Sequence, residues 1–136
     1  MRVESRGRAR ALQALYAWDI RDGEPLEQIA DRVWDDLAVP FEERVFAGRL
    51  VKAFAKAGAT IDGDLSQVTT NWRLERLGAI ERCVLRIAAA EMQQGTTPPR
   101  VVIKESMRLA ERYGTPDSAR FVNGVLDAYA RRHGLL

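Results

Sequence analysis

An all-α fold is predicted by three observations: apolar residues recur at helical spacing along nearly the whole chain, no run of alternating β-branched residues is bounded by turns, and prolines and glycines punctuate the periodic segments. The 136 residues fit a single domain (1–136), enough to bury a core and too few for a catalytic domain plus an accessory one.

The first helix is expected from about Glu4 to Arg21, carrying Leu12, Leu15 and Tyr16 and ending near Asp22 and Gly23. Pro25 suits the first turn of a second helix with Leu26, Ile29, Val33 and Leu37, which Pro40 closes. From Phe41 a long helix follows, its stripe of Phe46, Leu50, Ala53, Phe54, Ala57, Ile61 and Leu65 running through Gly58. Polar residues from Ser66 to Asn71 break the pattern and mark a seam between an N-terminal half, 1–66, and a C-terminal half, 67–136. A short turn at Trp72, Leu74 and Leu77 leads into a helix from Ala79 to Gln93, with Ile80, Val84, Ile87 and Ala88 inward. The next spans Arg100 to Arg112 and is expected to stop at a left-handed Gly114. Thr115 then reads as an N-cap, Pro116 as the first helical residue and Asp117 as a favourable charge at the dipole, opening a last helix with Val122, Val125, Leu126 and Tyr129 on one stripe.

The net charge of +2 is modest, so the distribution of charge carries the argument about partners. Arg2, Arg6, Arg8 and Arg10 face one acid, Glu4, in the first ten residues, and they run directly into the apolar pattern of the first helix. A cationic arm rooted in a packed helix can present several guanidinium groups to one polyanion, here RNA phosphates, and Gln13 extends the same surface. The competing reading is a solvated basic terminus. Cys83 is the only cysteine, which excludes an internal disulfide and fits a buried thiol in a reducing compartment. No apolar stretch is long enough for a membrane span or a secretory signal, so the expected location is cytoplasmic.

Two further constellations stand out. In Ser118, Arg120, Phe121, Asn123 and Gly124, Phe121 falls at the edge of the buried stripe, where it can pack inward or stack on a base. Gly124 inside a helix points to a close helix contact, with Asn123 as a buried bridge across it. In the segment Trp72, Glu75, Arg76, Glu81, Arg82, surface ion pairs are the plain reading, and a large aromatic beside a seam makes a protein interface the other. Glu91 continues the stripe of Ile80, Val84 and Ile87, so it is expected to be partly buried against a partner such as Arg86 or a backbone N–H. Catalytic signatures are thin: His133 is the only histidine, and there is no metal-ligand cluster, phosphate-binding glycine loop or serine elbow. No catalytic residue, metal or cofactor is expected.

Arg6-Gly-Arg8-Ala-Arg10-Ala-Leu-Gln13-Ala-Leu15-Tyr16, Ile80-Glu81-Arg-Cys-Val-Leu85-Arg86-Ile-Ala-Ala-Ala-Glu91 and Phe121-Val-Asn123-Gly124-Val-Leu-Asp127 together resemble the NusB family of bacterial transcription antitermination factors, over essentially the whole chain. The resemblance implies two packed helical bundles, no catalysis, and a heterodimer with NusE, the small-subunit ribosomal protein. That pair would bind the boxA element of nascent ribosomal RNA leaders and help load the elongating RNA polymerase complex. Carried over by motif, the RNA surface would be Arg6, Arg8, Arg10 and Gln13, with Arg2 on the same arm, together with Ser118, Arg120 and Phe121. The NusE surface would be Trp72, Glu75, Arg76 and Glu81. Three positions depart from the family pattern: Ala9 stands for a common Glu, Gly7 is expected to loosen the arm, and Lys104 replaces a common Asn before Glu105.

Two other classes stay open on sequence. A small helical mutase would need its arginines to converge with Lys and Glu or Gln around a dianion, and a purely protein-binding scaffold would show no salt-dependent RNA binding. Self-association as a homodimer is likewise open.

Overall fold

In a computed structural model, residues 2–21, 23–69 and 73–136 are described, and among them the chain forms six α-helices and one short 3-10 turn. The helices are α1 (Val3–Asp19), α2 (Leu26–Asp36), α3 (Phe41–Val68), α4 (Ala79–Gln94), α5 (Pro99–Tyr113) and α6 (Pro116–Arg132), with the 3-10 turn at Leu74–Arg76 before α4. Each expected helix is present, with ends shifted by up to about three residues: α2 ends before Leu37, and α3 runs on through Ser66 to Val68. Helix α1 packs on α2, α3 and α4, while α5 and α6 pack on each other and on α4. A single hydrophobic cluster runs from Ala11 and Leu15 through Phe54, Leu65 and Val84 to Leu126 and Tyr129, so both halves of the chain share one core.

The helix ends show where turn chemistry differs from expectation. Helix α2 stops at Asp36, four residues before Pro40; beyond it Ala38 adopts φ 50° and Val39 N–H donates to Trp34 O at 3.0 Å. This six-to-one closure satisfies an orphan carbonyl, and Pro40 serves instead as the N-cap of α3. Helix α3 is kinked at Ala57 (φ −116°, ψ 15°), beside Gly58. Gly95 takes the left-handed conformation and ends α4. Gly114 does not: at φ −120° and ψ −119° its lack of a side chain is required by crowding, since a Cβ would lie 2.7 Å from Ala110 O. The N-terminus of α6 is as expected, a capping box in which Ser118 N–H donates to Thr115 Oγ1 at 3.1 Å and Thr115 N–H donates to Ser118 Oγ.

Two further glycine expectations are overturned. Gly7 does not loosen the start of α1; it is buried, and a Cβ there would lie 2.7 Å from Cδ1 and 2.9 Å from Cβ of Phe46, so α1 and α3 approach closely at this position. Asn123 and Gly124, expected at a close helix contact, are exposed, and a Cβ on Gly124 would meet nothing within 4 Å.

Candidate nucleic-acid interface

The N-terminal arginines are helical from Val3 onward, so the helix period distributes them around α1. Arg8 precedes Ala11, Leu12 and Leu15 by three, four and seven residues and therefore turns inward with them. It is 5 % exposed, a correction to the expected open arm. Its Nε donates to Glu91 Oε1 at 2.8 Å and its Nη2 to Glu91 Oε2 at 2.6 Å, a two-pronged pair with a carboxylate that is itself 1 % exposed. Nη1 reaches Glu105 Oε1 at 3.4 Å, and the guanidinium lies over the Phe46 ring, 5.2 Å from its centroid. Glu91 is thus more buried than expected, and its partner is Arg8 rather than Arg86.

Arg6 and Arg10 lie on the α3 side of the same helix and share one acceptor. Arg6 Nε donates to Glu43 Oε2 at 2.9 Å and Arg10 Nε to Glu43 Oε1 at 3.0 Å. Glu43 is buried, yet both arginine side chains keep substantial surface, 40 % and 27 %. Arg10 also donates through Nη1 to Gln13 Oε1 at 3.3 Å, which ties Gln13 to this edge of α1. Arg2 is exposed just before α1. Ser118 is buried and its hydroxyl serves the capping box, so its contribution to any ligand surface is to shape the start of α6. Arg120 is exposed and pairs with Asp117 one turn back. Phe121 is half-buried and packs against the core, between the inward and stacking readings.

Of the proposed protein-binding segment, Trp72 lies outside the described residues. Glu75 and Arg76 are exposed on the 3-10 turn. Glu81 folds back over the start of α4, and its Oε2 is buried without a hydrogen-bond partner among the described residues. The turn is held by Arg82, whose Nη1 donates to Leu77 O at 2.7 Å while Nε donates to Asp19 Oδ1 at 3.1 Å. Arg86 extends the network, donating to Asp19 Oδ1 and to both oxygens of Asp62, each at 2.9 Å. This network of Asp19, Asp62, Arg82 and Arg86 ties α1, α3 and α4 together and was not singled out from sequence, nor was Glu43. The signal for Glu43 was available, because it precedes Ala47 and Leu50 by four and seven residues on the buried stripe of α3.

Burial opposes ionisation of Glu43, Asp19 and Glu105, but their partners outweigh it. Arg10 and Arg6 hold Glu43 below its ordinary value, Arg82 and Arg86 do so for Asp19, and Ser5, Arg8 and Arg108 for Glu105. Burial pushes the Cys83 thiol up to about 12, so it stays protonated. Because the three carboxyl groups are depressed in the folded state, their stabilisation is present above the unfolded-state range and is lost as pH falls through the folded values. Thermal melts are expected to be level from about pH 5 to 8 and to drop below about pH 4.5. A melting temperature unchanged down to about pH 3 would contradict this linkage.

Fold and site define a class of small all-helical protein in which buried arginine–carboxylate pairs fasten the first helix and further basic side chains stand at the surface beside it. Among the described residues no helix is long and apolar enough to cross a membrane. The model of the NusB family matches residues 5–131, and the chain belongs to that family. It is 40 % identical over 128 residues to the transcription antitermination protein NusB of Anaeromyxobacter dehalogenans, covering 93 % of this chain and 89 % of that one. Among solved structures it is similar to NusB of T. maritima, with a TM-score of 0.86, 33 % identity and coverage of 94 % and 90 %. It is also similar to a chain in the crystal structure of antitermination factors NusB and NusE in complex with double-stranded RNA, with a TM-score of 0.88, 28 % identity and coverage of 97 % and 98 %.

Proposed function

We propose that this protein is a cytoplasmic, non-enzymatic transcription antitermination factor that binds boxA RNA of nascent ribosomal RNA leaders together with NusE and so acts on the RNA polymerase elongation complex. The observation that carries this reading is the full-length likeness to a chain solved with NusE and RNA, in a chain that belongs to the NusB family. Arg2, Arg6 and Arg10 are the arm residues that reach solvent, and Gln13 is coupled to Arg10. Arg120 and the half-buried Phe121 supply the second part of the RNA surface, with Ser118 setting the helix end that carries them. Arg8 acts one layer below, fixing the helix on which the arm is mounted. Glu75, Arg76 and Glu81, with Trp72, form the NusE surface.

The test is equilibrium binding to boxA RNA and to a scrambled RNA, with and without NusE. The reading predicts a boxA preference that NusE strengthens, and loss of the NusE effect in Glu81→Lys. Equal affinity for both RNAs in the presence of NusE would reject the boxA assignment. A Glu81→Lys protein that binds NusE as wild type does would reject that surface.

A further inference from the structure

We propose that the outer face of α5 is a second, sequence-independent track for RNA phosphates, an inference that rests on the RNA-binding reading above. Arg100, Lys104, Arg108 and Arg112 recur every four residues and are all exposed. At about 1.5 Å per residue they form a basic ridge roughly 18 Å long. Like charges at this spacing destabilise a helix, and here three such pairs follow one another.

Several surface arginines elsewhere have an acid within reach: Arg120 pairs with Asp117, Arg131 with Asp127, and Arg44 with Asp35. On α5 only Arg108 has such a partner, Glu105 at 2.9 Å; among the described residues no carboxylate forms an ion pair with Arg100, Lys104 or Arg112. The protein therefore leaves the ridge to be neutralised from outside. Beside it lies a cleft of about 650 Å³ between α5, the start of α1 and the loop before α5. Arg2, Lys104 and Arg108 line it together with the hydroxyl groups of Thr96 and Thr97, which can donate to phosphate oxygens. Glu4 and Glu105 also line it, and Glu105 is already engaged by Ser5, Arg8 and Arg108. A second, smaller hollow continues along the ridge between Arg108 and Arg112. A run of cations this long exceeds what one phosphate can neutralise and fits a polymer, and contacts to phosphates from an open helix face read charge rather than sequence.

The triple variant Lys104→Ala, Arg108→Ala, Arg112→Ala removes exposed side chains, so a thermal melt close to wild type is expected. Binding to boxA RNA and to a scrambled RNA of equal length is then measured across a salt series. Three lost contacts to single-stranded RNA predict a salt slope smaller by about 2 and at least about tenfold weaker binding at roughly 0.1 M salt, equally for both RNAs. Unchanged affinity and slope on both RNAs overturn the track and leave the face to a protein partner. A loss confined to boxA overturns its sequence independence. The parent reading fails separately, through a wild-type protein that does not prefer boxA, and wild-type protein that binds neither RNA overturns both.

Discussion

Arg8→Ala is expected to destabilise the protein by about 3–5 kcal/mol, because it leaves the Glu91 carboxylate buried without its counter-charge. For a chain of this size that corresponds to a melting temperature lower by roughly 10–20 °C. The charge itself is not what the fold requires. Replacing both members with apolar residues of similar volume, Arg8→Met with Glu91→Leu, is expected to be neutral or stabilising, since the cost of desolvating both ions disappears with them. Glu105 keeps Ser5 and Arg108 as partners in that double variant. An Arg8→Ala protein melting within about 2 °C of wild type would show that the pair contributes little.

Gly7→Ala is the second large effect, and its sign follows from competing magnitudes. Alanine is favoured over glycine inside a helix by about 1 kcal/mol, which alone would make the change stabilising. The new methyl group, however, would sit 2.9 Å from Cβ of Phe46, an atom fixed to the α3 backbone, so relief requires α1 to move away from α3. Overpacking of this kind costs about 1–3 kcal/mol, and the net result is expected to be a lower denaturant midpoint. A raised midpoint would mean that the two helices separate without cost. The same displacement would disturb the shared Glu43 clamp, so Gly7→Ala links packing at the root of the arm to the geometry of Arg6 and Arg10.

The helices were legible because their period was strong and their stops were chemically distinct: Pro98-Pro99, Thr115-Pro116 and Gly95 all fall at observed boundaries. The inward turn of Glu91 was also legible from its place on a buried stripe. The same arithmetic applies to Arg8, yet a cluster of four arginines reads as an exposed patch when charge is considered before period. Which cation neutralises Glu91 was not legible, since Arg8 and Glu91 lie 83 positions apart and meet only when α1 packs on α4. Close approach at Gly7 and Gly114 was equally hidden, because a glycine placed for lack of space and one placed for a turn look alike in a sequence. At Gly124 neither reason applies, as the position is open to solvent. Phe121 stood at the edge of its stripe and remains half-buried in the structure, so its intermediate periodicity reported a real position.

Under the proposed function the N-terminal arginines divide by helix face: Arg8 fastens the fold and Arg10 contacts RNA. The salt slope of binding to boxA RNA with NusE present, compared between Arg10→Ala and the double variant Arg8→Met with Glu91→Leu, tests it directly. The division predicts a slope reduced by about 0.7 for Arg10→Ala and the wild-type slope for the double variant. A reduced slope in the double variant, with the wild-type slope kept in Arg10→Ala, would contradict it.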